Sequence, residues 1–157
     1  MIESLIKHLE HYSKLEDSVD VERFDATLSQ IAELNDPRAI GLLLPFFKDD
    51  CKFPEVMFSI IHTIEMFEDK KYVQEILRGL PMFSRRSPAW AKKVHFAIFN
   101  YPPTREAYRE QLARAGATTK IAAKDFLTKI GEQEPKFAQV CNEMLAVLFK
   151  TATNGEA

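Results

Sequence analysis

The chain has 157 residues, 46% hydrophobic and 28% charged, which suits one globular domain. The longest apolar run, residues 39–47, is far too short to span a bilayer. A net charge of −2 hides a polarity, with 16 acids against 8 bases in residues 1–75 and 7 against 13 in residues 76–157, which disfavours whole-surface DNA binding.

Nearly every segment follows the helical period. Ile2, Leu5, Ile6 and Leu9 mark a first helix, and its lack of a basic region or long apolar stretch argues against a signal peptide. Val21, Phe24, Leu28, Ile31 and Leu34 mark a second, with Asp20 as its expected cap. Asp36 caps the third, Pro37 occupies its first position, and Pro45 should bend or end it. After the loop Lys48-Asp49-Asp50-Cys51-Lys52, Pro54 starts a fourth. Tyr72, Val73, Ile76, Leu77 and Leu80 make a fifth, ended by Gly79 to Pro81. Ser87-Pro88 starts a sixth, with Trp90, Ala91, Val94 and Ile98 on one face and Phe96 and Phe99 on another, so it packs between neighbours. Thr104 caps a seventh that stops at Gly116, and Thr118 or Thr119 opens an eighth that stops at Gly131. Pro135 opens a ninth, striped by Phe137, Val140, Cys141, Met144, Leu145 and Leu148.

Few glycines and few alternating β-branched runs argue against a sheet. The expected fold is all-α, about nine helices in a short irregular HEAT-like stack of helical pairs. Helix starts at Asp36, Asp69 and Thr104 are spaced like paired-helix repeats, and Pro54 and Pro88 open second helices within the first two units. Residues 1–150 form the single domain and residues 151–157 a polar, flexible tail.

The fourth helix is the most informative element. Met57, Ile60, Ile61, Ile64 and Phe67 fall within an arc of roughly 120°, the core face. Glu55, Phe58, His62, Glu65 and Asp69 share a separate arc of about 80°. A solvated face is usually rich in Lys and Glu without an aromatic ring; this one suits a protein partner. Phe58 would be the anchor and the carboxylates, with Asp49 and Asp50 of the preceding loop, would pair with a basic surface. The plainer reading is a solvated face with Phe58 tucked against a neighbouring helix. Trp90 is expected to be buried.

Catalytic signals are thin. The chain lacks a Gly-rich phosphate loop, an H-E-x-x-H and a G-x-S-x-G. His8 and His11 lack a third ligand, and His62 with Glu65 lacks a nucleophile and oxyanion donors, so no metal, cofactor or enzyme activity is expected. Cys51 and Cys141 are isolated, which fits a reducing cytoplasm.

The run DPRAIGLLLPFF, the Asp49-Asp50 loop, EVMFSIIHTIEMFED, Tyr72, Leu80-Pro81, Ser87-Pro88-Ala89-Trp90-Ala91 and Ile98-Phe99-Asn100 together resemble the immunity protein 30 family of bacterial polymorphic toxin and contact-dependent inhibition systems. The resemblance covers roughly residues 20 to 115, and the family's motif-rich region falls on Met57, Phe58, His62, Glu65, Ser87, Pro88, Trp90 and Asn100. It implies an all-α protein that binds and neutralises a cognate toxin effector domain in the cytoplasm of the producing cell. A nuclease toxin would present a basic phosphate-binding cleft that the acidic face can occupy. Neither nucleic acid nor membrane is then a partner. The alternatives are a HEAT-like scaffold without a toxin, and a nucleic-acid binder using Arg85, Arg86, Lys92, Lys93, Arg105 and Arg109.

Overall fold

The computed structural model describes the backbone of residues 1–156 and the side chains of residues 1–149. Among these residues the chain is all-α: α1 Ile2–His11, α2 Ser18–Leu34, α3 Arg38–Leu43, α4 Pro54–Glu65, α5 Asp69–Arg86, α6 Pro88–Asn100, α7 Pro102–Ala113, α8 Ala117–Gln133 and α9 Ala138–Glu156. The side chains of the expected tail, residues 151–157, lie outside the described residues.

Local chemistry explains most of the helix starts. Asp36 accepts the Arg38 backbone N–H at 3.0 Å, and α3 gives way at Pro45 to a 3-10 turn, Leu44–Phe46. The cap of α2 is Asp17, not Asp20. Asp17 accepts the Asp20 N–H at 2.9 Å while the Asp20 carboxylate reaches back to the Glu16 N–H at 3.1 Å, so two acids divide the work expected of one. Thr104 does not open α7, because Pro102 and Pro103 fill the first positions, where a missing N–H costs nothing. Its hydroxyl instead lies 2.7 Å from the Ile98 carbonyl and 3.0 Å from that of Tyr101, fastening α7 to the end of α6. Likewise α8 begins at Ala117 and runs through Gly131.

The largest departure from expectation is α5, which continues through Gly79 and Pro81 to Arg86. Phe83, fully buried beyond the proline, supplies the packing that carries the helix on. Gly79 is not a stop but a close approach. A Cβ there would fall inside the van der Waals envelope of Leu44 Cδ1, so the absent side chain lets the turn after α3 lie against α5.

α5 is the central element, with α3, α6, α7 and α8 packed on it. α3, α5, α7 and α9 contact one another in succession, α1 and α4 pack on α2, and α8 packs on both α5 and α9. The two-sided apolar surface of α6 is used on both sides. Trp90, Ala91, Val94, Ile98 and Phe99 are buried, and Phe96 stacks on Phe137 at 4.4 Å. Cys141 is buried and its thiol is pushed up to about 11 by burial, an inert core residue. No helix among the described residues is long and apolar enough to cross a membrane.

The second half of the core holds a polar group, His95, that periodicity did not single out. It is fully buried, its Nδ1 2.7 Å from the Ala91 carbonyl and its Nε2 3.0 Å from the Tyr108 hydroxyl. A carbonyl only accepts, so Nδ1 carries the proton and Nε2 accepts from Tyr108. Phe99, Tyr108 and Phe126 surround the ring edge-on.

Two predictions follow from this packing. Gly79→Ala pushes the Leu44 methyl aside at a packing cost of about 1–3 kcal/mol, of which the helix preference of alanine over glycine returns about 1 kcal/mol, so urea denaturation should show a net loss of about 1 kcal/mol. The second concerns His95, which burial holds down at about 4 from an ordinary 6.5. Between those values the unfolded chain binds a proton that the folded chain refuses. Stability is therefore full above about pH 6.5 and falls by on the order of 3 kcal/mol as the pH drops towards 4. His95→Gln should flatten that loss; an unchanged pH slope in the variant would assign it to the carboxylates instead.

Candidate functional site

The loop after α3 is fastened to the first turn of α6. Ser87 Oγ donates to the Phe47 carbonyl at 2.6 Å, and Trp90 Nε1 donates to the Lys48 carbonyl at 3.1 Å. Asp49 accepts the backbone N–H groups of Ala89 at 3.0 Å and Trp90 at 3.3 Å. Asp49 thus caps α6 from forty residues away, an arrangement local sequence could not reveal. Of the two loop acids proposed as partner contacts, Asp49 is already engaged, whereas Asp50 is exposed without a hydrogen bond among the described residues.

The fastening brings the side of α6 beside the exposed side of α4. Phe58 packs edge-to-face on Trp90 with centroids 5.1 Å apart, and Lys93 Nζ lies 4.4 Å above the Trp90 ring and 5.5 Å from the Phe58 ring. The plainer reading of Phe58, a ring tucked against a neighbouring helix, accounts for this contact. Its ring rests on a buried tryptophan, yet the residue stays 44% exposed. Trp90 itself is buried, as its face of α6 requires.

Glu55, His62 and Glu65 are exposed along α4, and Asp69 is half-buried in the first turn of α5, where the helix N-terminus favours its charge. Glu55, Glu65 and Asp69 have no ion pair among the described residues. α2 adds an acid to this face. Asp25 has a buried Oδ1 with no hydrogen-bond partner, and burial raises its carboxyl; the Ser59 hydroxyl opposes that rise and Glu55 adds to it.

At the far end, Glu65 and Asp69 line a cleft of about 160 Å³ with Tyr72, Tyr101 and Thr104. The face therefore runs from Asp25 and Glu55, past Phe58 and Lys93, to Glu65, Asp69 and Tyr101. Sequence reading did not join Asp25, Tyr72, Lys93 and Tyr101 to this face because they sit on α2, α5, α6 and the link between α6 and α7. The exposed tyrosine ahead of Pro102-Pro103 was the one local hint.

Larger clefts exist elsewhere, of about 660 Å³ between α5, α6 and α8 and about 610 Å³ beside α3. Their charges are mostly satisfied internally. Lys92 pairs with Glu134 at 3.4 Å and Lys129 with Asp125 at 3.1 Å. Arg38 pairs with Asp36 at 2.7 Å, and Glu75 with Lys71 at 3.5 Å and Arg78 at 3.3 Å. The basic residues considered for nucleic acid are dispersed over three helices, with Lys92 and Arg109 in ion pairs and Lys93 over the aromatic pair. Among the described residues, no group of three or more His, Cys, Asp or Glu side chains is placed to hold a metal.

Residues 11–108 match the family model described as Immunity protein 30, a span that contains the whole face. No curated protein and no solved structure matches the chain.

The capping role separates Asp49 from its neighbours. Asp49→Ala should lower stability by about 1 kcal/mol in urea denaturation, and Asp50→Ala should leave it unchanged. Equal effects of the two substitutions would remove the cap assignment.

Proposed function

This chain belongs to the immunity protein 30 family, and on that premise we propose that it binds and neutralises a cognate toxin domain through the exposed face of α4 and its flanks. One observation carries the reading: Glu55, Glu65 and Asp69 have no ion pair among the described residues, while a half-exposed Phe58 sits between them on a rigid aromatic support. Exposed carboxylates are well solvated and gain little from one another. A basic partner surface neutralises them and steers the encounter from a distance. Phe58 needs little rearrangement to act as an anchor, because Trp90 already holds its ring.

The partner of best fit is a nuclease domain. Its substrate groove must be basic to hold a phosphate backbone, and a row of carboxylates backed by a helix can occupy that groove in place of the phosphates. Inhibition is then by occlusion in the cytoplasm, before the toxin reaches nucleic acid, and requires no catalytic step from this chain.

Co-expression with the toxin domain encoded beside it should restore growth, and the two proteins should co-purify. The triple reversal Glu55→Lys, Glu65→Lys, Asp69→Lys should slow association by roughly tenfold or more at low salt and abolish protection, with the helical circular dichroism spectrum unchanged. Undiminished protection by that variant would remove this face from the account.

A further inference from the structure

Tyr72 is 3% exposed, and its hydroxyl has no hydrogen-bond partner among the described residues. Buried hydroxyls are nearly always bonded, because an unbonded one forfeits its hydration for nothing. Here Tyr72 lines the cleft shared by Glu65, Asp69, Tyr101 and Thr104, and its hydroxyl is near enough to both carboxylates to feel their charge. Burial, reinforced by the charges of Glu65 and Asp69, pushes the Tyr72 phenol upward, so it stays a neutral hydroxyl. Thr104 donates its hydroxyl to the Ile98 and Tyr101 carbonyls and makes no bond with Tyr72.

We propose that this cleft is a socket for a single arginine side chain of a protein partner. The proposal rests on the toxin-binding reading above and names the group that this end of the face receives. The cleft offers two carboxylates with no ion pair among the described residues, a buried hydroxyl with no bond among them, and the ring of Tyr101, 54% exposed at the rim. A guanidinium matches all three. Its planar set of N–H donors can reach two acids and one hydroxyl together, and its flat face stacks on an aromatic ring. A lysine ammonium is a compact, strongly hydrated charge with no such plane. A metal ion is a poorer occupant, because the cleft brings together only two acids and a phenol. The unbonded Tyr72 hydroxyl is then a binding group held ready at the expense of the free protein's stability.

The test needs no toxin for its first half. The isolated chain is titrated with N-acetyl-arginine amide, and with the uncharged citrulline analogue, while the ring resonances of Tyr72 and Tyr101 are followed by NMR. Saturable shifts with the arginine probe alone, lost in Glu65→Gln/Asp69→Asn, support the socket. Equal shifts with citrulline, no shift with either probe, or an unaffected double variant overturn it. Tyr72→Phe gives a second readout. It should raise the melting temperature while speeding dissociation of the toxin domain by about tenfold. A lower melting temperature with unchanged dissociation would make the hydroxyl merely structural and overturn the proposal. The two readings fail separately. A chain that takes the arginine probe but does not bind the toxin encoded beside it sinks the toxin reading and leaves the socket standing. Undiminished toxin binding by Glu65→Gln/Asp69→Asn sinks the socket and leaves the toxin reading standing.

Discussion

The candidate face depends on one fastening, the polar contacts that tie the loop after α3 to the start of α6. Ser87, Asp49 and the Trp90 indole each bond a group from across a gap of about forty residues. These bonds satisfy carbonyls that the 3-10 turn at Pro45 leaves exposed, and N–H groups that open every helix. They also decide where α4 sits, since the chain enters α4 directly from the fastened loop. Without them Phe58 would have no tryptophan to rest on, and Glu65 would not meet Tyr101 across a cleft. Ser87 and Trp90, which lie within the span matched to the family, serve this fastening. They support the face rather than form its contact surface.

The two halves of the protein handle charge and polarity differently. Around the α4 face, carboxylates from α2, α4 and α5 gather without an ion pair among the described residues, and Lys93 lies over the aromatic pair. Elsewhere, acids such as Glu75, Asp36 and Glu134 have bases at ion-pair distance. Exposed ion pairs add little to stability. Their value here is as a contrast: where charges are already paired, a partner gains little by approaching. In the second half the buried polar group is complete within itself, His95 donating to Ala91 and accepting from Tyr108. Tyr72 on the face is the opposite case, a buried hydroxyl that no neighbour completes. Fully satisfied polar groups stiffen a core, whereas an unsatisfied one carries a desolvation cost that calls for a reason.

The sequence by itself determined the helices and their inward faces. Val56 and Thr63 apart, the core of α4 is the arc read from its period, and Trp90, Ile98, Cys141 and Met144 are buried as their stripes required. Helical periodicity is a local signal, and burial follows from it directly. Proline and glycine were less dependable: Pro45 ended α3 as its chemistry demands, but α5 runs through Gly79 and Pro81 because Phe83 and Leu44 hold it from other elements. Glu55, Phe58, His62 and Glu65 were legible because they share α4, whereas Asp69, read as part of the same helix, opens α5 after a break at residues 66–68. What only the tertiary structure decided was their surroundings: that Asp49 is a cap, that Asp25 joins Glu55, that Lys93 covers Phe58, and that Tyr72 and Tyr101 close a cleft around Glu65 and Asp69. The physical reason is range. Period and capping act over one or two helical turns, whereas a binding surface is assembled from elements whose meeting depends on how the whole core packs.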